Sequence, residues 1–299
     1  MARTSTPLSV TIRCIWRALF IIMKVSVCVP AYNHEKYIAQ MLDGALMQQT
    51  TFPFEIVIGD DASTDRTQEI IRDYMDKYPG RIRAFLHGEN QGPKEPREFA
   101  GRNNVLALLK ACKGEYVAMC EGDDYWTDPL KLQKQVDFLD TNPDFAICHH
   151  NVEVIYEDGS PSHLFNNPDQ KLVSTIEDIL EDKWFMATAS WLYRNHFLSN
   201  DFADWHAKAA AGDWAVVIQL AAHGKIGYLP ETMGIYRKHS AGLSNVHAQT
   251  NIRFWKNRKE MFENVNKWLA FHYDKTIQET VSKYSAYLSK AEKIGGSEL

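Results

Sequence analysis

Three short polar segments of this 299-residue chain have the residue types for cation, phosphate and nucleoside chemistry. Glu121-Gly122-Asp123-Asp124 follows the apolar run 115–120. Carboxylates that close repel one another unless a cation sits between them. A hard divalent ion such as Mg²⁺ or Mn²⁺, shared with a diphosphate, supplies that charge. The same tetrapeptide also suits an acidic turn capping a following helix. The second segment, Asp60-Asp61-Ala62-Ser63-Thr64-Asp65, offers carboxylates to the N–H and hydroxyl groups of a nucleoside. Alternatively, Ser63 or Thr64 caps the next helix, with Asp65 in its first turn. The third, Pro30-Ala31-Tyr32-Asn33, sets an aromatic ring and an amide at the end of a strand. Tyr32 there either lies along a base or packs in a turn.

Positioning these segments takes a sheet. Residues 24–29 are β-branched and read as a strand ended by Pro30, and residues 54–59, 81–86 and 115–120 read as three more. Between them, residues 35–49, 66–78 and 97–112 carry apolar positions at helical spacing. Alternation of strand and helix with short loops predicts an α/β fold, a mostly parallel sheet with helices on both faces. In such sheets ligands bind at the carboxyl ends of the strands, where all three polar segments fall. The pattern loosens beyond residue 130. A helix is expected over 130–140, a strand over 145–156, an irregular aromatic-rich stretch over 160–200, a helix over 213–223 and C-terminal helices over 251–299.

The three segments in this order and spacing, with Val25-Ser26-Val27-Cys28-Val29 before the first and Gly114-Glu115-Tyr116 before the acidic one, resemble family 2 glycosyltransferases of the GT-A fold. The resemblance spans about residues 24–245 and implies a Rossmann-like nucleotide-binding half at 23–130, and an acceptor-binding and catalytic half at 131–250. It also implies a nucleotide-sugar donor, a UDP-sugar above all, and transfer with inversion. By position it gives Pro30, Ala31, Tyr32, Asn33, Asp60, Asp61, Arg102 and Asp123 to the nucleotide. The metal, Mn²⁺ or Mg²⁺, falls to Asp123 and Asp124, with His239. An Arg-x-His pair, Arg237 and His239, would close over the diphosphate. Asp213, the only acid between Asp204 and Glu231, would take the acceptor proton; otherwise it caps the helix that follows. Two departures stand out. Glu121 stands where the family has a leading Asp, which puts it one step back from the metal, and His34 replaces an acidic residue after Tyr32-Asn33.

Composition narrows the partners. A net charge of −5 with scattered basic residues excludes a wide polyanion-binding face, so nucleic acid is not expected. Five cysteines at irregular spacing form no CxxC pair, which suits a reducing, cytoplasmic setting. Cys148-His149-His150 is a metal candidate without a second ligand cluster, and reads more simply as a strand end. Residues 10–29 are apolar but interrupted by Arg13, Arg17 and Lys24, too short a run for a spanning helix. Residues 1–22 therefore read as an extension outside the native fold, with Met23 as a natural start, or as a short interfacial helix. The function expected is sugar transfer to a hydroxyl of a glycan or lipid-linked acceptor, with a possible peripheral contact at the inner membrane face. A catalytically silent sugar-nucleotide-binding subunit is the alternative. A nucleotidyltransferase would want a Gly-rich basic loop after the first strand, which Pro30-Ala31-Tyr32-Asn33 does not supply.

Overall fold

A computed structural model describes residues 23–93, 99–198, 202–209, 211–242 and 252–295; the expectations for residues 1–22 lie outside them. Strand β1 (Val25–Ala31) pairs in parallel with β2 (Phe54–Asp60) and β4 (Tyr116–Met119), and β2 pairs in parallel with β3 (Ile82–Leu86). Pro30 does not end β1. It pairs with Gly59, and its carbonyl accepts the Gly122 N–H at 3.0 Å, so losing one donor leaves the ladder intact.

Side chains alternate across β1 as a pleated strand requires. Val25, Val27 and Val29 face helices α1 (Ile38–Leu46), α2 (Thr67–Lys77) and α4 (Lys131–Thr141), through Ile38, Met41, Ile71 and Val136. Cys28 and Val57 face the opposite layer, which begins with α3 (Arg102–Ala111). Both faces are covered, which is why these strands read as continuous apolar runs.

The sheet then departs from the simple parallel pattern. Its order is β3-β2-β1-β4, then β9 (Leu192–Arg194), β6 (Phe145–Tyr156), β10 (Lys225–Lys238) and β5 (Tyr125–Trp126). Strand β9 is antiparallel to both β4 and β6 and joins the two halves. The long β10 runs parallel to β6, and the two-residue β5 pairs antiparallel with Gly234 and Ile235. Short strands β7 (His163–Leu164) and β8 (Val173–Ser174) flank β6 and β10. The stretch 160–200 is thus less irregular than expected. It holds β9 and the five-residue helix α5 (Ile176–Leu180), elements too brief to show periodicity.

Helix α6 (Gly212–Ala221) is apolar nearly all round and sits inside the second core layer. The C-terminal helices α7 (Ile252–Trp268) and α8 (Asp274–Gly295) are not an appendage. Met261, Phe262, Val265, Ile277 and Val281 share one core with Trp214 and Ile218 of α6. Asp182, just after α5, fastens them. Its carboxylate accepts from Arg258 at 3.1 Å, Lys283 at 2.8 Å and Tyr284 at 2.9 Å. Arg258 is almost fully buried. Removing one partner of such a pair leaves a desolvated charge unpaired, at a cost of about 3–5 kcal/mol. Asp182→Ala should therefore lose roughly 3 kcal/mol of unfolding free energy by urea titration; a loss below about 0.5 kcal/mol, the scale of ordinary surface substitutions, would show that the helices dock without it.

Candidate active site

The loop after β1 and the loop after β2 are stitched into one surface. Asn33 accepts the Thr64 N–H on Oδ1 at 2.8 Å and donates its own N–H to Ser63 Oγ at 2.8 Å. His34 N–H donates to Thr67 Oγ1, and Glu35 N–H to Asp65 Oδ2. Asn33 and Ala62 both take left-handed backbone (φ 56° and 62°), which bends each loop to meet the other. Tyr32 projects to solvent at 44% exposure, as an aromatic platform would. Asp65, rather than Ser63 or Thr64, serves the start of α2, accepting the Thr67 N–H at 3.0 Å.

Asp60 and Asp61 are fully enclosed. Asp60 accepts from Ser63 N–H and Oγ–H and from Gln68 Nε2, while Asp61 accepts from Gln91 N–H at 2.6 Å and Asn90 Nδ2 at 2.9 Å. These carboxylates therefore shape the loops around Ser63 and Gln91. Arg102 is likewise spent within the chain. Its guanidinium donates to the carbonyls of Ala207 and Ala209 and lies 4.1 Å over the Phe99 ring. Burial draws its pKa down to about 10.

The acidic segment leaves the end of β4 and turns at once into β5, whose pairing with β10 brings Arg237 and His239 alongside. Asp123 Oδ2 lies 2.9 Å from His239 Nε2 and 3.6 Å from His34 Nε2. Asp124 Oδ1 accepts the Arg237 N–H at 2.8 Å, and Arg237 Nε donates to the Asp123 carbonyl at 3.0 Å. The rest of the Arg237 side chain is braced by Gln40 Oε1 at 2.7 Å and by the rings of Tyr37 and Tyr125. It therefore builds the acidic loop as much as it charges the mouth of the site. Gly122 has no room for a side chain, because a Cβ there would meet His34 Nδ1 at 2.6 Å.

Electrostatics separates the three acids. Burial, then the neighbouring charges of Asp123 and Asp213, push the Glu121 carboxyl up to about 8. Burial, then Asp123 and Glu121, drive Asp124 well above the carboxylate range. Burial opposes ionisation at Asp123 too, but the His239 hydrogen bond and the His34 charge outweigh it and hold its carboxyl below the usual range. Crowded carboxylates push one another's pKa values apart in this way. The donor set fits a divalent ion. Ligand atoms of Glu121, Asp123 and Asp124 lie within 4.8 Å of one another, and so do those of His34, Asp123 and His239. Oxygen donors suit Mg²⁺ and Mn²⁺ alike, whereas added imidazole tilts the choice to Mn²⁺.

The geometry amends the sequence expectations at several points. Glu121 offers a ligand atom in the same group as Asp123 and Asp124. His34 was legible only as a departure from a pattern, and folding turns it toward Asp123. Lys238, unremarked in sequence, flanks Glu121 and Asp124, and burial lowers its pKa. Asp213 is not the cap of α6; Ala211 holds that position, and Asp213 sits in the first turn, accepting the following N–H, that of Trp214, at 2.8 Å. Burial raises its pKa. Behind it, the Arg258 guanidinium lies 3.7 Å over the Trp214 ring, tying the turn to α7. Cys148, His149 and His150 are buried in β6, and burial takes His149 down to about 3. They join none of the metal-competent clusters among the described residues.

Comparison with known proteins agrees with this layout. The model of the family described as glycosyl transferase family 2 matches residues 26–216. An uncharacterized protein of Mycobacterium tuberculosis is 39% identical over 234 residues, 78% of this chain and 64% of its own length. The chain thus spans just under two thirds of that relative. Among solved structures, Staphylococcus aureus TarS 1–349 in complex with UDP-GlcNAc superposes at TM-score 0.60 with 23% identity, covering 82% of this chain and 67% of that 1–349 chain. A Pyrobaculum calidifontis mannosyltransferase in complex with GDP-Man and Mn²⁺ superposes at TM-score 0.56 with 17% identity, covering 90% and 75%. Those two likenesses give the fold, a GT-A arrangement of mixed sheet and flanking helices with a C-terminal helical pair. Matched over most of its sheet and through all three polar segments, the chain belongs to glycosyl transferase family 2.

Proposed function

We propose that the chain is a metal-dependent, inverting glycosyltransferase that moves a sugar from a nucleoside diphosphate, UDP above all, to a hydroxyl of a glycan or lipid-linked acceptor. The observation that carries this is the cluster of Glu121, Asp123 and Asp124 at the end of β4, with His239 and His34 turned toward Asp123. Asp213, in the first turn of α6, is the carboxylate we assign to the acceptor hydroxyl. The nucleotide complexes of TarS and the mannosyltransferase, the latter with Mn²⁺, support the donor class and the metal. Among the described residues no helix is long and apolar enough to cross a membrane; the proposed acceptor meets the chain from solution or at a cytoplasmic membrane surface.

In this mechanism Tyr32 and the loop shaped by Asp60 and Asp61 receive the nucleoside. Asp123, flanked by Glu121 and Asp124 and backed by His239 and His34, would hold the cation. A divalent ion there supplies Lewis-acid stabilisation of charge on the leaving diphosphate. Arg237 and Lys238 add fixed positive charge beside it, already oriented before reaction. Asp213 accepts the proton of the attacking hydroxyl as its oxygen bonds to the anomeric carbon and the carbon–oxygen bond to the diphosphate breaks. A raised pKa suits that task, since a base must hold the proton it removes.

Asp213→Asn should keep the fold, because among the described residues its side chain bonds only the adjacent Trp214 N–H. Turnover should fall about 10²–10⁴-fold, with UDP affinity preserved; near-normal kcat would remove Asp213 as the base. Gly122→Ala should force His34 away from Asp123, since overpacking at such a contact costs about 1–3 kcal/mol. We expect at least a tenfold rise in the Mn²⁺ concentration needed for half-maximal hydrolysis of UDP-GlcNAc. Unchanged metal dependence would show that His34 has no part in the cluster.

A further inference from the structure

A second concavity, of about 300 Å³, lies between the segment after β7 and the turn that follows α5. That is at the lower end of the roughly 300–1,000 Å³ of small-molecule pockets. Its walls alternate ring faces (Phe165, Trp184, Phe185) with the amides of Asn166 and Gln170. Trp184 stacks on Trp214 with centroids 4.8 Å apart and planes 26° from parallel. Trp214 directly follows Asp213, so the concavity starts one aromatic stack away from the proposed base.

Asn166 supplies an independent pointer to a ligand. It is 3% exposed, and its Nδ2 donates to the Phe185 carbonyl at 2.7 Å. Its own N–H is fixed by Asn151 Oδ1 at 2.9 Å. Its buried Oδ1 accepts no hydrogen bond from the described residues. A buried amide oxygen held rigidly and left without a donor is an acceptor in want of a hydroxyl or water. The charges of the wall are spent as well. Lys171 pairs with Asp178, and Lys183 with Glu181. Asp169, exposed on the rim, adds a negative charge. A polyanion would find both lining lysines already neutralised. Flat rings for C–H faces and amides for hydroxyl groups fit an uncharged sugar.

We propose that this groove binds a neutral sugar unit of the acceptor glycan and thereby presents the acceptor's hydroxyl to Asp213. The assignment rests on the glycosyltransferase function proposed above and adds the acceptor's chemical class. Its anchorage is built in: Asp182, which ties down α7 and α8, immediately precedes the wall residues Lys183, Trp184 and Phe185.

The test is saturation-transfer NMR on the full chain with UDP and Mn²⁺ present. The probes are maltotetraose and chitotetraose as neutral chains and a short poly(ribitol phosphate) as the anionic one. We expect saturable binding of at least one neutral tetrasaccharide. It should weaken at least tenfold in the rim variant Asp169→Ala/Gln170→Ala, while UDP affinity stays within twofold. Absence of binding by both neutral chains, binding of the anionic probe alone, or undiminished binding by the double variant would each overturn the proposal. Neutral-saccharide binding in a chain that fails to bind UDP would support the groove and count against the donor site.

Discussion

Like-charge repulsion at the end of β4 is the constraint on which the site depends. Glu121, Asp123 and Asp124 are crowded where the sheet has already removed most water, and they cannot all be anions without compensation. The fold supplies that compensation from far along the chain. The two-residue β5 pairs with β10 and brings the Arg237 N–H to Asp124 and the His239 ring to Asp123. His34 arrives from the loop after β1 through the notch left by Gly122. Three segments that are more than 80 residues apart in sequence thus meet at one carboxylate. The arrangement is poised for a cation, since binding one would let the suppressed acids ionise.

The second half of the molecule serves that centre at one remove. Helix α6 carries Asp213 on its first turn, and the ring next to it, Trp214, is packed between Arg258 of α7 and Trp184 of the aromatic segment. Arg258 in turn bonds Asp182, which also holds Lys283 and Tyr284 of α8. The C-terminal helices therefore fix the first turn of α6, which carries Asp213, as well as closing the core.

Much of this was legible in sequence where one signal sufficed. The β-branched runs at 24–29 and 54–59 marked central strands, and the polar segments fell at their carboxyl ends as ligand sites of open sheets do. Strand β9 was not legible, because three residues show no period. The partners of Asp60 and Asp61 were not legible for a related reason. Local sequence shows that an acid is present but not that Gln68, Asn90 and Gln91 come back to occupy it. Arg102 was taken by distant carbonyls in the same way. Asp182 was invisible for lack of any motif, since its importance lies in partners about 76 to 102 residues away.

The central claim, that Asp123 and its neighbours hold a divalent cation against a donor diphosphate, is tested most directly by Mn²⁺ electron paramagnetic resonance on the full chain. The account predicts weak Mn²⁺ binding alone, at least tenfold tighter binding when UDP is added, and loss of both in a folded Asp123→Asn protein. UDP binding that is indifferent to Mn²⁺, or Mn²⁺ binding that survives Asp123→Asn, would contradict it.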